Sequence, residues 1–242
     1  MKNNLVRFIL AGVVLISLPA FLSAQGEYLT KGHSGLGVQA GLFHAGDIDG
    51  FAAEAGFSFL GFVDFGLGFA RGSEEVRSDE AGGAEVTGAD LTAIAFGPAV
   101  ALHLYRPSNQ NAFSVAVLMS YARTKVSLEW DGGSEPVGTS DGFSFEGVLY
   151  NTHGLSEKVD IVTSLRLSHS WENFDYENGD RVSEDFWTIH VSPSFAVRNL
   201  SGTVHISPGL SITLREGLGG GSQETLSLSL GYTFDFGELT KR

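Results

Sequence analysis

The stretch that most constrains the fold is ETLSLSLGYTFDF, residues 224–236. From Leu226 to Phe236 every even position is apolar, and every odd position between them is small or polar. A repeat of two is the period of a β-strand, whose successive side chains point to opposite faces of the sheet. The pattern predicts a strand with one large apolar face, and it leaves open whether that face meets a protein core or something other than water.

The same alternation recurs along the chain and predicts about ten strands. The candidates cover 33–44, 50–59, 62–71, 91–105, 111–130, 142–151, 158–174, 184–197, 202–215 and the stretch just quoted. On 111–130 the parity of the apolar positions switches at Val126, which predicts a bulge or a strand end there. Pro98, Pro193 and Pro208 fall inside strands, where proline needs a bulge or a weakened ladder position.

The N-terminus has the pattern of a signal peptide. Lys2 and Arg7 accompany the apolar stretch 8–22, and LSAQ offers a small-x-small cleavage site after Ala24. The alternative is a membrane anchor, but the stretch is short for a helical span, which needs roughly 20 apolar residues. We therefore expect an exported protein, with residues 1–24 as the signal peptide and 25–242 as one β-barrel domain.

Composition excludes several classes of protein. The chain has no Cys, so it has no disulfide scaffold, thiol nucleophile or zinc-thiolate site. Its formal net charge of −13 argues against a nucleic-acid partner. No cofactor is expected.

The composition of the second strand face decides between a soluble and a membrane barrel. That face carries Gly, Ala and Ser, whereas the wet surface of a soluble barrel needs solvating charges. Small residues suit a narrow interior. Trp130, Phe143, Trp171 and Trp187 fall near one set of strand ends, which matches an aromatic girdle at a membrane surface. We therefore expect the apolar face to contact lipid and the small residues to line the lumen.

The predicted connections alternate in length, and the odd-numbered ones are longer and more acidic. Transmembrane barrels show this asymmetry, with long loops outside the cell and short turns in the periplasm. The predicted fold class is all-β: a single antiparallel up-and-down transmembrane β-barrel of about ten strands, with eight or twelve as alternatives. It would have short periplasmic turns and longer acidic extracellular loops.

Taken together, the signal peptide, the ten alternating strands, the HVSPSF and HISPGL segments and the aromatic last strand resemble the small outer-membrane β-barrel proteins of Gram-negative-type bacteria. The resemblance covers essentially all of 25–242. It implies a place in the cell outer membrane, in contact with the lipid bilayer and lipopolysaccharide. It also implies the barrel-assembly machinery as a partner during insertion.

Charged and imidazole side chains on the small-residue face form the candidate site. Arg166 is predicted near mid-height with Glu146 on the adjacent strand, and a buried Arg needs carboxylate partners. Such a cluster is either an internal salt-bridge plug or an ion-selective constriction. The candidate lumen cluster is Glu54, Asp64, Glu146, Arg166, Asp235, His190 and His205.

The two histidines occupy similar contexts, TIHVSP and TVHISP. If their strands pair across RNLSG, His190 faces about Ser211 and His205 faces about Ala196, so the two rings lie too far apart to share a metal. A Ser–His enzyme also needs an orienting acid, and none is placed beside them. Both are therefore predicted to be polar filler. The acidic segments 46–50 and 175–180 either bind divalent cations or form a solvated rim, since the twelve-residue calcium pattern is absent.

Three functions remain open from the sequence. The first is a non-enzymatic outer-membrane barrel that contributes to envelope integrity or presents its loops to partners. The second is a narrow, porin-like channel for ions or small solutes. The third is a barrel enzyme acting on lipid or peptide.

Overall fold

In the computed structural model, ten antiparallel strands close into one barrel, because β1 pairs with β10 as well as with β2. The structure describes residues 25–29, 31–76, 89–106, 113–199, 201–215 and 222–237, so the predicted signal peptide lies outside the described residues. The strands are β1 Gly35–Ala45, β2 Ile48–Phe59, β3 Val63–Val76, β4 Ala89–Tyr105, β5 Phe113–Trp130, β6 Gly133–Gly154, β7 Val159–Tyr176, β8 Arg181–Asn199, β9 Gly202–Arg215 and β10 Ser222–Asp235.

The large apolar side chains form the outside of this barrel. On β10, Leu226, Leu228 and Leu230 are 58%, 55% and 57% exposed, whereas Ser229 and Thr233 between and beyond them are 3% and 0% exposed. The same orientation holds around the sheet, so the predicted assignment of the two faces is confirmed. Because leucine columns on an outer surface avoid water only in an apolar solvent, this exterior is suited to lipid.

The two ends of the barrel carry different sets of connections between the strands. At one end, called the turn end below, the connections are 60–62, 106–112, 155–158 and 200–201. At the other, the loop end, they are 46–47, 77–88, 131–132, 177–180 and 216–221, and parts of this set lie outside the described residues. The loop-end connections are shorter than the sequence indicates. The β5–β6 connection, predicted at 131–141, is 131–132, because β5 and β6 stay paired as far as Trp130 and Gly133.

The strand irregularities lie where the sequence predicts them, but the switch in the apolar pattern at Val126 does not reflect a change of strand face. Val126 points into the barrel and is 1% exposed, so the face of β5 does not switch there. The β5–β6 register shifts between Val126 and Ser127. The β8–β9 pairing is interrupted between Val191 and Phe195, where the continuing register sets Pro193 opposite Pro208. Two residues without an N–H group thus share one gap in the ladder.

Outside the sheet, residues Gln25–Tyr28 form a 3-10 turn. Within the described part of the chain, no helix is both long enough and apolar enough to cross a membrane.

Candidate functional site in the barrel lumen

A short N-terminal segment fills the turn end of the lumen. Residues 25–29, called the strap, comprise the 3-10 turn and Leu29. Glu27 and Leu29 are 5% and 4% exposed. The Tyr28 ring stacks on His205 with a centroid distance of 3.8 Å and an interplanar angle of 7°. The strap therefore fills lumen volume that small strand residues alone leave empty.

Hydrogen bonds hold the strap in place. The Tyr28 hydroxyl donates to Ser194 Oγ at 3.1 Å and lies 3.4 Å from Ser207 Oγ. Arg106 donates to the Leu29 carbonyl oxygen, and a second Arg106 nitrogen donates to the Gly61 carbonyl oxygen at 3.0 Å. These contacts join the strap to strands on opposite sides of the barrel.

The predicted carboxylate partners of Arg166 are present, and one of them comes from the strap. Arg166 forms ion pairs with Glu146 and Glu27, each with an N–O distance of 3.4 Å. The three side chains are buried, so the guanidinium charge is compensated inside the lumen rather than by solvent. The pairing with Glu146 confirms the prediction, whereas Glu27 was missed because it lies outside every alternating segment.

Both candidate histidines lie over a glycine of the next strand. A Cβ on Gly231, directly opposite His205, would stand 2.2 Å from His205 Cε1. A Cβ on Gly209 would stand 2.7 Å from His190 Cε1. The two similar sequence contexts therefore produce the same local packing, an imidazole placed where a neighbouring glycine leaves room. Among the described residues, neither ring nitrogen of His205 has a hydrogen-bond partner.

His190 has a serine partner and a cationic neighbour. Its Nδ1 lies 2.7 Å from Ser211 Oγ, which confirms the predicted register. Arg166 is its direct neighbour across the β7–β8 pairing. Ser192, two residues along the strand, instead donates its hydroxyl to the Pro208 carbonyl oxygen at 2.8 Å. Within the described residues no carboxylate contacts His190, so the orienting acid of a Ser–His pair is missing there.

The remaining candidates are distributed over separate contacts. Asp64 Oδ2 lies 2.9 Å from His103 Nε2, and His103 Nδ1 lies 2.8 Å from the Tyr150 hydroxyl. Asp235 lies 2.9 Å from His33 Nδ1 at the turn end. Glu54 points inward, opposite Gln39 on β1, and is 8% exposed. The structure thus unites Arg166, Glu146 and His190 but leaves Asp64 and Asp235 in clusters of their own.

A small polar cavity lies between the strap and the strands. Its volume is about 20 Å³, enough for about one water molecule. Polar side chains line it: Glu27, Tyr28, Gln39, Arg166, His190 and the serines at 164, 192, 194, 207, 227 and 229. Serine hydroxyls therefore surround the Arg166–Glu27 pair in this half of the lumen.

The loop-end half of the lumen contains a large apolar cluster beside buried polar side chains such as Glu172 and Thr124. Its packed cluster contains alanines together with large apolar side chains: Phe43, Ile48, Leu91, Val126, Phe174, Tyr176 and Phe186. Each of these points inward and is 9% exposed or less. The sequence pattern did not reveal them, because they occur singly among small inward residues. They pack against one another inside the barrel, above the polar half.

The acidic segments at the loop end make local contacts. His44 Nδ1 lies 2.8 Å from Asp49 Oδ1. Arg181 donates to both carboxylate oxygens of Asp175, and this bonding lowers the pKa of Asp175. Asn178 donates to Asp180 at 2.9 Å. Across the described ranges, no group of three or more His, Asp or Glu side chains is arranged to hold a metal ion.

Solved structures resemble this chain to different extents. The translocator domain of the autotransporter NalP from Neisseria meningitidis matches over 97% of this chain and 98% of its own, with a TM-score of 0.52 and 11% identity. The β domain of the Bordetella autotransporter BrkA gives 0.47 and 13% identity over 83% and 98%. Ail, the attachment invasion locus protein of Yersinia pestis, gives 0.34 and 13% identity over 84% and 99%.

No protein-family model and no curated protein matches this sequence. The likeness to the NalP domain shows a shared fold only, since the identity is 11%. With its closed ten-strand sheet and lipid-suited exterior, the chain has the fold of outer-membrane β-barrel proteins.

Proposed function

We propose that this protein is a non-enzymatic outer-membrane barrel with a sealed lumen, inserted by the barrel-assembly machinery. It would contribute to envelope integrity and present its loop end to the outside of the cell. The observation that carries the proposal is the combination of an apolar exterior with a lumen filled in both halves. The strap and its polar contacts fill the turn end, and the cluster around Phe174 and Phe186 fills the loop end.

The loop end offers an extended surface for contacts. Pairing between β2 and β3 ends at Asp49 and Ser73, while β3 and β4 remain paired to Val76 and Ala89. On the other side, β6 continues to Gly133 after its pairing with β7 has ended at Gly138. The four strands β3–β6 therefore project as a wall beyond their neighbours, with the exposed Trp130 at the tip of one hairpin.

The proposal is non-enzymatic because His190, the candidate histidine with a serine hydroxyl at hydrogen-bond distance, has a cation beside it. Arg166 is the cross-strand neighbour of His190, where a Ser–His nucleophile needs an acid. The cavity beside His190 is also small, at about 20 Å³, which is room for about one water molecule.

Fractionation and planar-bilayer recordings test the two parts of the proposal. We expect the mature protein in the outer membrane, migrating faster in an unheated than in a heated gel sample. Reconstituted protein should give no discrete conductance steps. Removing one seal by Phe174→Ala should still give none, because the strap half remains filled. Steps in the unmodified protein whose ion selectivity changes in Arg166→Gln would instead support the channel alternative.

A further inference from the structure

Two exposed cations lie side by side on the outer face of β5. Arg123 and Lys125 are two residues apart, so their side chains leave the same face about 7 Å apart along the strand. The chain carries 15 Lys and Arg against 28 Asp and Glu. A pair of cations on the exterior of so acidic a protein therefore needs a reason.

The aromatic girdle at the loop end fixes the depth of this pair. Tyr121, just below Arg123 on β5, is 41% exposed and lies opposite Phe143 of β6. Phe143 in turn stacks on Trp171 of β7 with a centroid distance of 6.0 Å. Exposed aromatic side chains of this kind mark the level of the lipid headgroups. Arg123 and Lys125 extend from that level toward the loop end.

The other outward cations of this region have carboxylate partners in the protein. Arg71 on β3 lies 3.1 Å from Glu129, and Arg181 on β8 binds Asp175. Within the described residues, Arg123 and Lys125 have no such partner.

The cross-strand neighbours of Arg123 and Lys125 explain why these two cations have no ion pair in the part of the chain that the structure describes. Lys125 stands between Ile94 and Thr139, neither of which is charged. Asp141 stands opposite Arg123, but it accepts the hydrogen bond of the Tyr121 hydroxyl. Within the described residues, neither cation forms an ion pair with a carboxylate, so the two together, at headgroup depth, form a site for an anion supplied by the membrane.

We propose that Arg123 and Lys125 bind a phosphate group of a phosphorylated saccharide lipid in the outer leaflet, with Tyr121 and Phe143 contacting its apolar part. A guanidinium presents a planar fork of donors that matches phosphate oxygens, and a lysine adds a second point charge. The inference rests on the proposed membrane insertion, since the site exists only where the loop end meets the outer leaflet.

The test compares variants in nanodiscs of phosphatidylcholine titrated with diphosphorylated or dephosphorylated lipid A, with bound lipid counted by native mass spectrometry. The unmodified protein should retain the phosphorylated form selectively, and less of it as the salt concentration rises. Arg123→Gln/Lys125→Gln should weaken retention about 10-fold to 30-fold, as expected for two basic residues at an anionic membrane surface.

Each of two control variants removes one positive charge outside the proposed site. Lys158→Gln removes an exposed cation at the turn end, and Arg181→Gln removes a loop-end cation that already has a carboxylate partner. Both should retain lipid A as the unmodified protein does.

Two results would overturn the site. They are equal retention by the double variant and the unmodified protein, and equal binding of both lipid A forms. Heat-modifiability of the same samples separates the two claims. A protein that fails to insert counts against the proposed function, while an inserted protein without selective retention counts against this site alone.

Discussion

The two halves of the lumen are filled in different ways, one by a polar cluster with a segment from outside the sheet and the other mainly by an apolar cluster. At the turn end the interior holds Arg166 with two carboxylates, a set of serine hydroxyls and a strap from outside the sheet. At the loop end it holds Phe174, Phe186 and other apolar side chains of the strands themselves. The difference teaches that strand alternation determines which residues point inward but leaves open how the interior is filled. Where strand residues are small, a segment from outside the sheet must supply volume, and its polar groups must be matched.

The largest effect should come from breaking the charge balance of the polar half. Arg166→Gln leaves Glu27 and Glu146 buried without their cation, which should lower the free energy of unfolding by about 3–5 kcal/mol. Urea titration of the reconstituted protein, followed by the heat-modifiability gel, measures it. The matched control adds Glu27→Gln and Glu146→Gln, which restores neutrality and should recover most of the loss. If Arg166→Gln alone is as stable as the unmodified protein, Arg166 does not compensate the charges of Glu27 and Glu146.

Truncation in the apolar half tests whether that half is a packed core. Phe174→Ala should cost about 3 kcal/mol, the lower end of the range for removing a buried aromatic side chain. Phe174→Leu keeps most of the volume and should cost less. The same unfolding assay checks both variants. If Phe174→Ala costs no more than Phe174→Leu, the loop-end cluster is not tightly packed.

A single methyl group on β10 should disturb the strap through His205 on the adjacent strand β9. In Gly231→Ala the new Cβ would collide with His205, which must move against the stacked Tyr28 ring. Overpacking of this kind costs about 1–3 kcal/mol. Gly147→Ala is the control, because a Cβ there meets no atom within 4 Å. Equal unfolding midpoints for the two variants would show that His205 is not confined.

The strap's hydroxyl contact should matter less than its ring. Tyr28→Phe keeps the stack on His205 but removes the hydrogen bond to Ser194, a loss of about 1 kcal/mol in unfolding free energy. Ser211→Ala is the comparison variant. It removes the hydroxyl beside His190, the histidine in the similar TIHVSP context. If Tyr28→Phe has the same unfolding free energy as the unmodified protein, the aromatic ring alone accounts for the stability that Tyr28 contributes.

The smallest effect concerns pH at the loop end, beyond the girdle. The hydrogen bonds from Arg181 lower the pKa of Asp175, so this contact stabilises the folded protein above the ordinary Asp range. The stabilisation is lost as the pH falls through the lowered pKa. Carboxyl NMR should show Asp175 titrating below the ordinary value of about 3.9. In Arg181→Gln the titration should move up. An unmoved titration would show that the pair does not persist in solution.

Particular residues show how much of the structure could be predicted from the sequence. The even positions of β10 face outward and Ser229 and Thr233 face inward, as the alternation predicted. The register that sets His190 opposite Ser211 was also predicted, because a short connection leaves few alternatives. Glu146 was correctly assigned to Arg166, since adjacent strands bring their inward charges together. All these results depend on local periodicity and on neighbours across one turn.

The missed residues depend on contacts that periodicity does not encode. Glu27 and Tyr28 lie in a segment with no strand pattern, and only closure of the barrel brings them to Arg166 and His205. Phe174 and Phe186 have the parity of inward positions but the bulk of outward ones. Which interior positions accept a large side chain depends on what stands across the lumen.

The sequence by itself determined that the chain forms a strand barrel with hydrocarbon outside and small residues inside, because the period of two assigns every side chain to a face. Only the tertiary structure decided that polar contacts with the strap fill one half of the lumen and an apolar cluster packs in the other. Filling an enclosed volume depends on side chains far apart in the chain, and their distances exist only after β1 has met β10.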